Sequence, residues 1–125
     1  MGTAENKQRI ADFVKNLPAG TADWSLMAED ADWWIQGQDT ISKAEIRQLA
    51  ADIAAMTESG EMFIDHVTAE EDRVAVESHS RIAMLDGRLF ENTYHFLFIL
   101  RDGKIVSARE HFDTAYALDF FGGAL

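Results

Sequence analysis

The chain contains no cysteine. That removes disulfides, thiolate nucleophiles and cysteine-ligated metals together, and it agrees with a cytoplasmic location. Basic residues are scarce, with 11 Lys and Arg against 22 Asp and Glu and a net charge of -11. Nucleic acids and anionic membranes both require clustered positive charge, so neither is an expected partner. The acidity is read most simply as solubility. No apolar run approaches the length of a membrane helix, and no signal-type hydrophobic region is visible. The opening MGTAEN lacks Ser or Thr at position 6 and is a poor match for myristoylation. There is no Gly-rich phosphate loop, no HExxH and no Ser-His-Asp order. Repeats, low-complexity tracts and linkers are also missing, so residues 1–125 read as one domain large enough to bury a core.

What is present is a change of period along the chain. Ile10, Phe13, Val14 and Leu17 recur at helical spacing, with Thr3 as the expected cap and Pro18 and Gly20 as terminators. A short helix is expected over Ala22–Ala28, followed by a strand in DADWWIQGQ that ends at Gly37. SKAE, Ser42 to Glu45, has the capping-box pattern, and Ile46, Leu49, Ala50, Ile53 and Ala54 form a helical stripe behind it. Gly60 is the expected stop of that helix. From Met62 the period becomes two, predicting strands over Met62–Thr68, Arg73–Met84, Arg88–Leu100 and Lys104–Asp113. A short aromatic helix is expected near Thr114, capped by Asp113 and Thr114. Helices first and a strand meander later make an α+β fold, and a long curved sheet with helices on one face makes a cone with a mouth.

Asp86-Gly87 and Asp102-Gly103 mark two hairpin turns. A loop of three residues at each turn puts Val74 opposite Phe98 and Val76 opposite Phe96. Phe98 then faces Val106, and Phe96 faces Ala108. Loops of two residues would set Phe96 against Glu77 and Arg109, so the three-residue register is expected at both turns. The outer face then carries Arg81 with Glu91 and a row of Glu77, His95 and Arg109. The inner face carries Ser78, Tyr94 and Glu110 in one row, with Ser80, Asn92 and Phe112 above. Adjacent strands lie about 4.8 Å apart, so the Tyr94 hydroxyl and the Glu110 carboxylate are within reach of one ligand. Glu110 is therefore expected inside and His111 outside, unless a bulge reverses the parity.

ENTYHFLFILRDGKIVSAREHFDTAY, with AEDADWWIQG before it, resembles the SnoaL-like domains of the nuclear-transport-factor-2-like superfamily. The resemblance implies a cone-shaped α+β barrel: a strongly curved antiparallel sheet with the N-terminal helices on its concave face, commonly a homodimer. The family includes polyketide cyclases, ketosteroid isomerases, dehydratases, epoxide hydrolases and non-catalytic members. Glu110 in REHFD falls where the epoxide-hydrolase branch carries a catalytic Asp. The Arg and Asp of that branch are replaced here by Ser78 and Ser80. The Tyr and Asp of the ketosteroid isomerases correspond to Ile10 and Ile35. Neither complete apparatus is present.

The residues themselves point to a pocket walled by Phe13, Trp33, Ile35, Ser78, Ser80, Phe96, Phe112 and Phe120. A carboxylate among such aromatics is desolvated, which raises its pKa toward the range of a general base. Glu110 would remove a proton alpha to a carbonyl, with Tyr94 or Asn92 donating to the oxyanion. The alternatives are a structural carboxylate, a non-catalytic ligand-binding module, and a dimerisation module filled by its own side chains. The expected ligand is a small hydrophobic molecule, with no cofactor. A metal is not expected either, since His79 and His111 in one outer row would stand about 9.6 Å apart.

Overall fold

The structure, a computed structural model, describes residues 2–122. Helix α1, Thr3–Lys15, buries the predicted Ile10, Phe13 and Val14, together with Asn6. Its N-cap is Gly2 rather than Thr3, and no side chain caps it. The helix expected over Ala22–Ala28 is reduced to a single 3-10 turn, Trp24–Leu26, whose cap is Asp23. Strand pairing takes over early, because β1 spans Met27–Ile35 and buries Met27, Ala31, Trp33 and Ile35. A two-residue strand, β2 (Ile41–Ser42), leads into α2, Lys43–Ala55.

The capping box at the start of α2 is formed in both directions. The Glu45 N–H donates to Ser42 Oγ, and the Ser42 N–H donates to Glu45 Oε1. Lys43 Nζ donates to the Met27 carbonyl and to Glu29, at 2.8 Å each, which ties α2 to β1. Gly60 does not stop this helix. The helix ends at Ala55 with Met56 as its C-cap, and β3 (Thr57–Glu70) runs straight through Gly60. The glycine serves close approach, since a Cβ there would lie 2.9 Å from Pro18 Cβ and 3.3 Å from its carbonyl oxygen.

Strands β4 (Arg73–Met84), β5 (Leu89–Arg101) and β6 (Lys104–Phe112) complete the meander, and α3 (Thr114–Phe120) follows. The strand order is β2-β1-β6-β5-β4-β3. All pairs are antiparallel except β1 with β6, which are parallel. The sheet is therefore mixed rather than wholly antiparallel. It is curved but does not close into a barrel, with β2 and β3 as its edges. The helices cover its inner face, where Phe13 of α1 meets Trp33 and Phe98 at centroid distances of 6.3 and 6.1 Å.

The first hairpin has the expected three-residue loop, with Gly87 at φ +92° and Val74, Val76, Ser78 and Ser80 opposite Phe98, Phe96, Tyr94 and Asn92. The second does not. Asp102 and Gly103 both have positive φ, 52° and 77°, and Arg101 pairs with Lys104. This is a two-residue turn whose twist matches that of the flanking strands. The register then shifts between Leu100 opposite Ile105 and Ile99 opposite Ser107, leaving Val106 as the extra residue of a bulge. Beyond the bulge, Phe98 lies opposite Ala108, Phe96 opposite Glu110, Tyr94 opposite Phe112 and His95 opposite His111. Every β6 partner beyond the bulge is thus displaced by two residues from the expected register. Arg109 faces Leu97 rather than His95, and no β6 residue lies opposite Asn92. Two residues is a whole pleat, so the facing survives although the neighbours change.

Gly60→Ala is expected to destabilise the fold by about 1–2 kcal/mol through the contact with Pro18. Urea unfolding would show it as a lowered midpoint at unchanged slope.

Candidate active site

Between the inner face of the sheet and the helices lies a cavity of about 140 Å³. Its walls are Trp33 and Ile35 from β1, Met62 from β3, Ile82 and Met84 from β4, and Phe90, Tyr94 and Phe96 from β5. Glu110 and Phe112 of β6 line it as well. Helix α2 contributes Ile46, Leu49, Ala50 and Ile53, and Leu17, Pro18, Trp24 and Gln38 come from connecting segments. Ala117 and Phe121 close one side.

Of the expected wall residues, Trp33, Ile35, Phe96 and Phe112 line this cavity, as do Glu110 and Tyr94. Phe13, Ser78, Ser80, Asn92 and Phe120 are not among the lining residues. Phe13 is 2% exposed and packs in the core against Trp24 as well as Trp33 and Phe98. Ser78 is buried with its hydroxyl unpartnered among the described residues, and Ser80 is covered by the Tyr94 hydroxyl at 2.8 Å. Phe120 packs on Phe90, with the Arg88 guanidinium 4.1 Å from its ring centroid.

Asn92 is committed to α3. Its Oδ1 accepts from the backbone N–H groups of Thr93 and Asp113, and its Nδ2 donates to the Asp113 carbonyl. Asp113 in turn caps α3 by accepting from the Tyr116 N–H. The Arg88 guanidinium donates to the Phe120 carbonyl at 2.7 Å, and the Tyr116 hydroxyl accepts from the Glu91 N–H. These bonds hold α3 over the cavity.

Glu110 faces the cavity. Its Oε1 accepts a 2.9 Å hydrogen bond from Trp33 Nε1. No hydrogen bond to Tyr94 or Ser78 is formed, because the shifted register sets Glu110 opposite Phe96. Apolar groups crowd the carboxyl, yet part of the residue stays open to the cavity. Burial pushes its pKa up from 4.5 to about 7, and the Trp33 bond only partly opposes the rise. Burial also pushes the Tyr94 hydroxyl above the usual tyrosine range, against the bond from Ser80 and with the neighbouring Glu110 charge. Tyr94 therefore keeps its proton at any ordinary pH.

His111 lies on the opposite face, with its ring 5.0 Å from that of Trp34. His66, Glu77, His95 and His111 stand side by side on four adjacent strands. His79 is in the next row, bonded to Asp65 at 2.8 Å and stacked on Phe63. Among the described residues no group of three or more His, Asp or Glu is placed to hold a metal ion. No helix among them is long and apolar enough to cross a membrane.

Two features of the site escaped the sequence. The α2 stripe was visible as a buried face, but nothing marked it as cavity wall rather than core. The Trp33–Glu110 bond depends on the parallel pairing of β1 with β6, 77 residues apart, and carries no local signal.

The raised pKa of Glu110 is also a statement about stability. Below about pH 4.5 the carboxyl is protonated in both folded and unfolded chains and costs nothing. Between 4.5 and 7 the unfolded chain ionises while the folded one holds its proton, so stability falls as pH rises. Glu110→Gln keeps an acceptor for Trp33 and removes the penalty. It is expected to stabilise the protein by on the order of 3 kcal/mol at pH 8 and by nothing near pH 4, read by urea unfolding at the two pH values.

No curated protein matches this chain. Among solved structures, AclR of Streptomyces galilaeus aligns over 99% of this chain and 100% of its own at a TM-score of 0.84 and 16% identity. A ketosteroid isomerase-like protein of Catenulispora acidiphila, solved with trimethylamine, aligns over 92% of both chains at 0.76 and 18%. TerC, co-crystallised with polyporic acid, aligns over 94% of this chain and 98% of its own, also at 0.76 and 18%. At these identities the similarity establishes the fold. The model of the SnoaL-like domain matches residues 3–108, and with the curved six-stranded sheet, the helices on its inner face and the cavity between them, the chain belongs to the SnoaL-like domain family.

Proposed function

We propose that this protein binds a small, mainly apolar cyclic compound in the cavity and performs cofactor-free acid–base chemistry on it through Glu110. The observation that carries the reading is a carboxyl group, anchored by Trp33 and pushed up by burial to a pKa of about 7, in a mainly apolar cavity. A general base works best when its pKa lies near the working pH. A cavity of about 140 Å³ is close to the ~150 Å³ apolar cavity that admits benzene, which sets the scale at about one ring. The small ligands held by the Catenulispora protein and by TerC support the ligand-binding part of the reading.

In its ionised form Glu110 takes a proton from carbon alpha to a ligand carbonyl, through the oxygen that Trp33 leaves free. The Tyr94 hydroxyl, still protonated, donates to the enolate oxygen. Returning the proton elsewhere gives isomerisation, attack of the enolate on a second carbonyl gives cyclisation, and loss of a beta-hydroxyl gives dehydration. Asn92, committed to α3, is assigned the positioning of that helix rather than the oxyanion.

The same commitment favours a second reading, a module that binds its ligand and turns nothing over, because it leaves Tyr94 as the single side-chain donor proposed for the oxyanion. Deuterium uptake alpha to the carbonyl of cyclic ketones in heavy water, followed by proton NMR, separates the two. Acid–base chemistry predicts catalysed exchange that falls by about two orders of magnitude or more in Glu110→Gln. It also predicts a smaller loss in Tyr94→Phe. Binding without exchange for every ketone that protects the protein thermally would leave the binding module.

We also infer a homodimer formed through the outer face of the sheet. Half-buried Trp34, Leu97, Ile99 and Val106 lie there, and Phe63 on the edge strand β3, stacked on His79, is 39% exposed. Leu97→Glu is expected to convert the dimer to monomer in sedimentation velocity, with the cavity intact.

A further inference from the structure

Among the described residues Glu110 is the one charged side chain lining the cavity, and no Lys, Arg or His lines it. Tyr94 is the other titratable wall residue, and the stretches of α2, α3 and the connecting segments that line the cavity contribute no charge. The two arginines that touch aromatic rings are engaged elsewhere, Arg88 on Phe120 and Arg109 on the outer ring of Trp34 at 4.3 Å. The carboxylate therefore has a hydrogen-bond donor but no counter-charge.

What surrounds it is aromatic. Glu110 lies opposite Phe96, two residues before Phe112 and bonded to Trp33. These rings belong to a continuous belt: Trp24 to Trp33 and Trp33 to Phe96 at 6.3 Å, Phe96 to Tyr94 stacked at 5.7 Å, and Tyr94 to Phe112 at 6.3 Å. Aromatic faces are electronegative and attract desolvated cations. A carboxylate adds the one full charge an ammonium group needs.

We infer that the ligand carries a basic or quaternary nitrogen, bound against Glu110 within the aromatic belt, and that the cavity selects ligands by charge in the order cation, neutral, anion. The inference rests on the cavity being the ligand site, as proposed above, and adds the charge class of what enters it. An anion would meet a carboxylate with no compensating cation. A neutral ligand fills the apolar volume but leaves Glu110 without a counter-charge. A cation completes the pair, and where Glu110 starts neutral, its proton leaves for solvent as the cation arrives.

Three probes of one shape separate these cases: choline, its neutral isostere 3,3-dimethylbutan-1-ol, and 3,3-dimethylbutanoate. Each is titrated against the full chain by tryptophan fluorescence and calorimetry, the first two at pH 5.5 and 8.5 and the anion at 8.5. Choline is expected to bind about tenfold more tightly than the alcohol at pH 8.5, with the anion not binding. The preference should shrink toward unity at pH 5.5, where Glu110 is neutral, and in Glu110→Gln at either pH. The alcohol serves as the reference for every other effect of pH. An alcohol that equals choline at pH 8.5, or a preference that survives in Glu110→Gln, overturns the charge selectivity and leaves the cavity as a ligand site. Failure of all three probes to bind overturns both.

Discussion

One extra residue in β6 governs which side chains meet inside this protein. Asp102 and Gly103 make a tight two-residue turn, and a ladder running unbroken from it would place Glu110 on the outer face. The bulge at Val106 restores the parity. Ile105 on one side of it and Ala108 on the other are both fully buried, although they differ by three in sequence. The inward facing of Glu110 and Phe112, and the outward facing of Arg109 and His111, depend on that irregularity.

Facing alone would leave a carboxyl group in a hostile setting. The parallel pairing of β1 with β6 puts Ile35 opposite Glu110 and Trp33 close enough to donate its indole N–H. One neutral hydrogen bond does not offset the loss of hydration, so the pKa stays high. A buried group that opposes stability above neutral pH is the pattern expected of a functional site rather than of a well-satisfied core. Nearby polar groups behave differently. Asn92 makes three hydrogen bonds and anchors α3, and Ser80 satisfies Tyr94. Their chemistry is used to hold the walls in place.

Much of this architecture was readable from local pattern. The capping box at Ser42 and Glu45, the limits of β4, the cap at Asp113 and the first hairpin register follow from side-chain chemistry within a few residues or from one apolar alternation. Where local signals misled, a longer-range contact had prevailed. Gly60 reads as a helix stop but exists to let β3 pass Pro18, and the helical reading of Ala22–Ala28 yields to pairing of β1 with β6. The candidate site divides the same way: alternation along β5 turns Tyr94 inward, whereas the inward facing of Glu110 rests on the bulge at Val106 and the retreat of Ser78, Ser80 and Phe13 from the cavity on what packs over them.

The sequence by itself determined most of the elements and their amphipathic faces, because period and capping are properties of neighbouring residues. Only the tertiary structure decided the mixed sheet, the two-residue displacement of β6, the Trp33–Glu110 bond and the part α2 takes in the cavity wall. Each of these depends on bringing together strands or helices distant in the chain, where the energy lies in burial and in hydrogen bonds that no short window contains.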